Sequence, residues 1–281
     1  MKAAGRASPL KQFLARLPAY LVLAFLLAPL AVVVASSFTA GELAQFPPKG
    51  LSLRWYETAL RQDEFLVSLG NSAMIAAITT VIAVVLGYIA ALVISRNPRG
   101  ARLLSVVALG PLFVASAVLG LAFLIIFSRL GMLGSPQGLL IAYTVISLPY
   151  TTRMISGVLV NQGVDAEIAA RVYGATPRRA IFGVTVPLSA QGVFTAAIYS
   201  FVHTFDESVI INFIGSVRFQ TFPGVMVARL RETFDPVASV YATLILVATV
   251  LLVFLASRLF GLDQLSAGGS GRTAPKKREK R

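Results

Sequence analysis

Residues 69–96 read LGNSAMIAAITTVIAVVLGYIAALVISR. Arg96, at the end of the stretch, is its only charged residue. A helix of about 20 apolar residues, rising about 1.5 Å per residue, is long enough to cross the roughly 30 Å hydrocarbon core of a bilayer. The stretch therefore predicts a membrane-spanning helix that ends near Arg96.

Five further charge-poor tracts have the same length and character. They are residues 17–38, the interval from Arg102 to Arg129, the interval from Arg129 to Arg153, residues 181–203, and the interval from Asp235 to Arg258. Of the 281 residues, 56% are hydrophobic and 13% are charged, whereas an average soluble domain is about 25% charged. We therefore predict an all-α fold, a polytopic transmembrane helix bundle with six spans.

The basic residues set the expected orientation, because cytoplasmic loops carry an excess of Lys and Arg. With the N-terminus inside, 18 of the 25 Lys and Arg residues fall in cytoplasmic segments, and both termini are cytoplasmic. The chain then divides into a basic N-terminus (1–16), a transmembrane domain (17–260) with a cytoplasmic loop (153–180), and a disordered basic tail (261–281). Because these residues flank spans, the net charge of +13 does not indicate nucleic-acid binding, and the tail is suited to contact anionic membrane lipid.

Residue content excludes several kinds of chemistry. The chain has no Cys and a single His, His203, so it offers no thiolate metal site, Cys nucleophile or His-pair metal site. It has no GxxxxGK[ST] phosphate-binding loop. The GGSG at 268–271 lies in the basic tail rather than in an apolar helix, and we interpret it as linker. We predict no catalytic residue, metal ligand or cofactor in this chain.

The loop between the fourth and fifth tracts contains a short helix with marked ends. Asp165 is suited to be its N-cap. Glu167 places negative charge at the positive end of the helix dipole and can pair with Arg171 one turn later. Gly174 can adopt the left-handed conformation that ends a helix, after which residues 176–177 (Thr-Pro) start another. On these signals alone the segment is a connector between two spans.

The same segment resembles the EAA loop of binding-protein-dependent ABC importer permeases. That pattern is E-A-A, three residues, Gly, nine residues and I-x-L-P. Ala169, Ala170 and Gly174 match in register, and residues 184–187 (VTVP) fall at the expected distance. Ile168 holds the usual Glu position, with the glutamate one residue earlier. The two alanines give the helix a low-profile face that a partner can approach closely.

The resemblance extends over about residues 20–258 and is nearest to the second permease subunit of spermidine/putrescine-type importers. It rests on short motifs in a fixed order, among them SLRWYETAL (52–60), SLPYTTR (147–153) and FDESVIINFI (205–214). It implies a type I importer permease of the bacterial inner membrane, with a homologous permease as partner, a substrate-binding protein, and a separate ATPase dimer that binds ATP and Mg²⁺. The ATPase-coupling residues would then be Asp165, Glu167, Ala169, Ala170 and Gly174.

Four polar residues at the outer end of the fifth tract stand where apolar residues are expected: His203, Asp206, Glu207 and Asn212. Ionisable groups near bilayer depth usually line water or a substrate path, and acids would attract a cationic amine. Alternatively, these residues cap a helix end and pair with nearby arginines (Arg218, Arg229 or Arg231).

The sequence also leaves alternatives open for the substrate and for the functional class of the protein. The resemblance implies a polyamine, but related permeases handle aminophosphonates, amino-acid derivatives or ferric ions. A stand-alone secondary transporter would need ionisable residues inside the spans, which are almost free of them. An intramembrane enzyme would need a nucleophile–base pair or a metal constellation, for which a single His offers little.

We expect reporter fusions in the 153–180 loop and in the tail to report a cytoplasmic location, because basic residues are concentrated there. Fusions near Lys49 should report a periplasmic location. Paired alkaline phosphatase and green fluorescent protein fusions measure this directly. A periplasmic signal from the 153–180 loop would contradict the predicted orientation.

Overall fold

The computed structural model describes residues 9–96, 98–216, 219–232 and 235–260. Residues 1–8 of the predicted N-terminal segment, the tail 261–281 and Arg218 therefore lie outside the described residues. Within the described ranges the chain forms twelve α-helices, which agrees with the all-α prediction. They are α1 (Pro9–Ser37), α2 (Arg54–Leu60), α3 (Asp63–Arg96), α4 (Pro98–Leu109), α5 (Ser116–Leu130), α6 (Pro136–Gln162), α7 (Asp165–Val172), α8 (Pro177–Ala180), α9 (Val186–Phe205), α10 (Ile211–Ile214), α11 (Phe222–Glu232) and α12 (Val237–Phe260).

Among the described residues, three helical stretches are long and apolar enough to cross a membrane. They are Arg16–Ser37, Asp63–Arg96 and Pro177–Phe205. Ala101–Phe113 and Ser116–Leu130 meet the same requirement only together, which gives up to four candidate spans. The helices α6 and α12 cover the fourth and sixth predicted tracts. The count of six spans stays a prediction.

The third predicted tract is not the single helix that its composition suggests. Helix α4 ends at Leu109, a 3₁₀ turn covers Gly110–Phe113, and α5 begins only at Ser116 after two extended residues. Pro111 lies at the start of the 3₁₀ turn, where its missing N–H cannot continue the α-helical bonding. A proline inside a membrane helix predicts a simple kink, but the two halves are bent by 103°.

Helix α6 also differs from its expected length. It passes through Pro149 and Arg153 and ends at Gln162, where Gly163 adopts φ +68°. The predicted loop 153–180 therefore begins with more than two turns of helix, because no residue between Arg153 and Gly163 interrupts the hydrogen bonding. The connection itself starts at Gly163 and contains α7 and α8.

The described chain forms two compact units, one built from residues up to 69 with 224–247, the other from 70–223 with the residues after 247. In the first unit, Phe65 stacks on Tyr241 with the ring centroids 4.6 Å apart. The Tyr241 hydroxyl donates to the side-chain oxygen of Gln62 at 2.7 Å. Arg229 forms a salt bridge with Asp235 at 3.5 Å.

The second unit holds the main core and the segments discussed below. Its largest apolar cluster joins α3, α5, α6 and α10, and its buried members are Ile75, Phe127, Leu139, Ala142, Tyr143, Ile146, Ile210, Ile211 and Ile214. A smaller cluster joins α3, α6 and α9 through Ala91, Ile155, Leu159 and Ala196. This cluster packs helices α3, α6 and α9 together.

A close approach of α3 to α6 generates a stability prediction. A Cβ atom at Gly87 would lie 2.4 Å from Thr151 Oγ1 and 3.1 Å from the backbone nitrogen of Thr152. Gly87→Ala should therefore lower the midpoint of thermal unfolding in detergent, since overpacking costs about 1–3 kcal/mol.

Gly70→Ala is the matched control on the same helix. A Cβ atom there meets nothing within 4 Å, and alanine favours a helix over glycine by about 1 kcal/mol. If both variants unfolded at the same temperature, the close approach of α3 to α6 would be wrong.

Candidate functional site

Helix α7 spans Asp165–Val172 and ends in a Schellman motif. The N–H of Ala175 donates to the carbonyl of Ala170 at 3.0 Å, and the N–H of Gly174 donates to the carbonyl of Arg171 at 3.0 Å. Gly174 has φ +91°, a left-handed conformation that favours glycine because it lacks a Cβ. The prediction that Gly174 ends this helix is confirmed.

The start of α7 differs from the prediction, whereas the start of α8 agrees with it. Asp165 is the first helical residue and not the N-cap; the cap position is Val164, which provides no side-chain hydrogen bond. The helix begins one residue early because Val164 has φ −107° and ψ 0°. At α8, Thr176 is the N-cap, its hydroxyl accepting from the N–H of Arg179 at 3.4 Å, and Pro177 follows it.

Glu167 faces the interior of the second unit. Its carboxylate forms a salt bridge with the guanidinium of Arg96 at the end of α3, and accepts a hydrogen bond from Thr185 Oγ1 at 2.9 Å. The side chain is 12% exposed. The expected pairing with Arg171 is therefore replaced by a pairing with a residue far away in sequence. Ala170, one turn further along the same side of α7, is half-buried.

The opposite side of α7 is exposed and apolar. We call this the outward face, and it consists of Val164, Ile168, Val172 and Tyr173. Val172 is 79% and Tyr173 is 91% exposed. Of the two predicted contact alanines, Ala169 is exposed beside this face and Ala170 is turned away from it. The four-residue spacing of the first three members is visible in the sequence and would have predicted the face.

The predicted pathway residues at the end of α9 converge in part. A cavity of about 330 Å³, here called the α9 cavity, is lined by Tyr199, Val202, His203, Asp206 and Glu207. Asn212 does not line it, because its side-chain amide donates to the carbonyl of Ser208 one turn earlier at 2.5 Å. Three of the four predicted residues are therefore brought together.

Two aromatic rings pack against His203. The Tyr150 ring of α6 lies 4.9 Å from the His203 ring and 5.0 Å from the Tyr199 ring, measured between centroids, and Tyr199 lies 5.7 Å from His203. His203 Nδ1 is buried and has no hydrogen-bond partner within the described part of the chain. The sequence reasoning missed both tyrosines, although the four-residue spacing of Tyr199 and His203 places them on one face of a helix.

The two acids of the cavity have different surroundings. Glu207 is buried, and its Oε1 accepts from the N–H groups of Val209 at 2.8 Å and Ile210 at 3.1 Å. It therefore caps the turn after α9, as the capping alternative predicted. Asp206 keeps an exposed edge, yet partial removal from water raises its pKa; the Glu207 carboxylate raises this pKa further, and His203 lowers it. Within the described ranges, no group of three or more acidic or histidine side chains is placed to hold a metal ion.

Residues 83–262 match the family model described as binding-protein-dependent transport system inner membrane component. The chain belongs to this family. The permease is 31% identical over 240 residues to the putrescine transport system permease protein PotI of Escherichia coli (strain K12). The aligned region covers 83% of this chain and 85% of the relative. It is 33% identical over 198 residues to the molybdenum transport system permease protein ModB of Mycobacterium bovis, covering 66% of this chain and 75% of the relative.

The fold is similar to that of a solved transporter structure. A crystal structure of a bacterial ABC transporter involved in the import of the acidic polysaccharide alginate matches with a TM-score of 0.67 and 14% identity. The match covers 92% of this chain and 100% of that chain. Because the identity is low, this likeness bears on the fold alone.

The chain is therefore a multi-pass membrane protein and the non-catalytic permease subunit of a binding-protein-dependent ABC importer. The resemblance drawn from the EAA loop is confirmed. The relatives are named for solutes as different as putrescine and molybdenum, so membership of the family does not fix the substrate.

Proposed function

We propose that this permease forms part of the import pore for a polyamine similar to putrescine. The observation that carries the proposal is the α9 cavity, where carboxylates adjoin aromatic rings. Polyamines present ammonium groups separated by short alkyl chains. Carboxylates attract such groups by charge, and aromatic rings attract them through their electron-rich faces. The similarity to a putrescine permease over most of the chain supports the same solute class.

The two acids would have separate roles. The Asp206 carboxylate accepts no hydrogen bond from the described residues and keeps an exposed edge, so it is the group that would meet an ammonium ion. Glu207 already accepts two backbone N–H groups and would add negative charge while holding the following turn in place. Tyr199 and His203 would contact the alkyl chain and the cation.

The same cavity argues against the alternative solutes. An aminophosphonate or another anion would be repelled by two adjacent carboxylates. A ferric ion prefers a cage of several oxygen or nitrogen ligands, which the described residues do not offer. The spans also contain few ionisable groups for the ion coupling that a stand-alone secondary transporter needs.

The partners proposed for this permease follow from the family and from α7. With both termini in the cytoplasm, α7 lies on the cytoplasmic side, and its outward face together with Ala169 would dock on an ATPase dimer that binds ATP and Mg²⁺. Asp165 and Gly174 would delimit the docking helix. A homologous permease would complete the pore, and a binding protein would deliver substrate from outside. ATP-driven movement of α7 would then switch the pore between two states.

The substrate proposal is tested by Asp206→Asn in the reconstituted transporter. Removing the charge should raise the KM for labelled putrescine about tenfold to a hundredfold, since a hydrogen bond to a charged group contributes about 1.5–3 kcal/mol. The amount of assembled complex should be unchanged. Glu57→Gln removes an exposed carboxylate of α2 and serves as the control. An unchanged KM for Asp206→Asn would contradict the proposal.

The docking proposal is tested by Val172→Asp, which places a charge on the outward face. Loss of a central interface contact costs about 2 kcal/mol or more, about 30-fold in affinity, so co-purification of the ATPase should be lost. Thr176→Asp is the matched control, because Asp is an equally good N-cap and position 176 lies off the outward face. Parental ATPase binding by Val172→Asp would show that α7 is a plain connector.

A further inference from the structure

Three polar side chains meet where α7 approaches the rest of the second unit. We call them the junction: Arg96, Glu167 and Thr185. The Arg96 guanidinium pairs with the Glu167 carboxylate. Thr185 Oγ1 accepts from Arg96 at 3.3 Å and donates to Glu167 at 2.9 Å. Each of the three side chains therefore contacts the other two.

The junction connects three separate elements. Arg96 is the last residue of α3, Glu167 lies in the first turn of α7, and Thr185 ends the π-helical turn Ile181–Thr185 that precedes α9. The three positions are 71, 89 and 18 residues apart in pairwise sequence separation. The three contacts therefore depend on the tertiary fold, because α4, α5 and α6 separate α3 from α7 in the sequence.

A second polar contact supports the α3 side of the junction. Ser189 Oγ donates to the carbonyl of Thr185 at 2.8 Å and is also 3.0 Å from the Tyr88 hydroxyl. Tyr88 belongs to α3, about two turns before Arg96. Helix α3 therefore contacts the start of α9 through both Tyr88 and Arg96. A force applied at Arg96 would act on a helix that is already held at a second point.

The surroundings of α7 make this contact mechanically important. Glycines in left-handed conformations flank the helix, Gly163 with φ +68° and Gly174 with φ +91°. Most side chains of α7 are exposed, whereas the Glu167 side chain is 12% and the Arg96 side chain 25% exposed. A partly buried ion pair is weakly screened by salt, and loss of either partner leaves an unpaired charge.

We propose that Glu167, Arg96 and Thr185 form the link that transmits movement of α7 to α3. The inference rests on the proposed docking of α7 to an ATPase. It assigns Glu167 to the inside of the permease rather than to the docking surface. In this arrangement the ATPase moves α7 through its outward face. The junction transmits this movement to α3, and the connecting backbone transmits it to α8 and α9. Arg96, Glu167 and Thr185 are positioning residues and do not touch the substrate.

The test uses the complete transporter in proteoliposomes, with putrescine as the probe. The variants are Glu167→Gln, Arg96→Gln and the charge exchange Arg96→Glu with Glu167→Arg. Three quantities are measured: ATPase co-purification, the rate of ATP hydrolysis, and the number of putrescine molecules imported per ATP hydrolysed. A structural contribution alone would lower the amount of complex but leave the imported number per ATP unchanged.

We expect both single variants to keep ATPase co-purification and hydrolysis while import per ATP falls about 5- to 150-fold, the usual range of coupling between sites. The charge exchange should recover at least half of the parental ratio. Thr185→Ser keeps the hydroxyl and should behave as the parent, whereas Thr185→Val removes it and should resemble the single charge variants. Arg102→Gln changes an exposed arginine of α4 and is the control.

Three results would overturn the link. The first is an unchanged import ratio in Glu167→Gln and Arg96→Gln. The second is a loss of ATPase co-purification in Glu167→Gln, which would assign Glu167 to the docking surface. The third is a charge-exchange variant whose import per ATP is as low as that of the single variants. The loss would then come from changing each residue and not from breaking the ion pair between them.

Failure of the link and failure of the proposed function give different results. If Val172→Asp loses the ATPase while the junction variants keep the parental ratio, α7 docks but does not act through Arg96. If Val172→Asp keeps the ATPase, the docking proposal itself fails. If the parental complex hydrolyses ATP in response to its binding protein but does not import putrescine, the substrate proposal fails and the ratio is measured with the solute that it does import.

Discussion

A polar group inside the hydrocarbon core of a membrane has no water to bond with, and this constraint governs how the helices of the second unit meet. Two hydroxyls of α6 find partners on neighbouring helices. Thr151 donates to the carbonyl of Ala83 on α3 at 2.9 Å, and Ser147 bonds with Thr204 on α9 at 3.0 Å. Helices must approach closely to make such bonds. Gly87 provides that space on α3, where a Cβ would strike Thr151.

Local features of the chain were predictable because their causes are local. Gly174 ends α7 and Thr176 starts α8 because one residue without a Cβ and one with a hydroxyl satisfy the free backbone groups nearby. The N-cap at Asp165 failed by one position, since the backbone of Val164 already turns into the helix. The break after Leu109 was underestimated, because a proline signals a disturbance but not the angle at which the chain resumes.

Contacts between distant segments could not be predicted from one sequence. Arg96 was visible as the charge that ends a span, and Glu167 as a charge in the first turn of a loop helix. Nothing in the pattern says that the two residues meet, because their contact depends on how α3 and α7 pack. The polar residues after α9 show the same limit. The sequence does not distinguish between His203, Asp206 and Asn212, which are all polar residues near the end of an apolar tract. In the structure His203 and Asp206 line the cavity, and Asn212 does not.

The π-helical turn Ile181–Thr185 has a consequence for the face that α9 presents. Such a turn holds about one residue more than an α-helical turn, and each residue of an α-helix advances by about 100°. The additional residue therefore sets the rotational phase of all the side chains that follow, including Tyr199 and His203. A deletion or insertion of one codon at this turn would exchange the side of α9 that meets Tyr150. One-residue changes at this turn could therefore give α9 new contacts while leaving every residue of α9 itself unchanged.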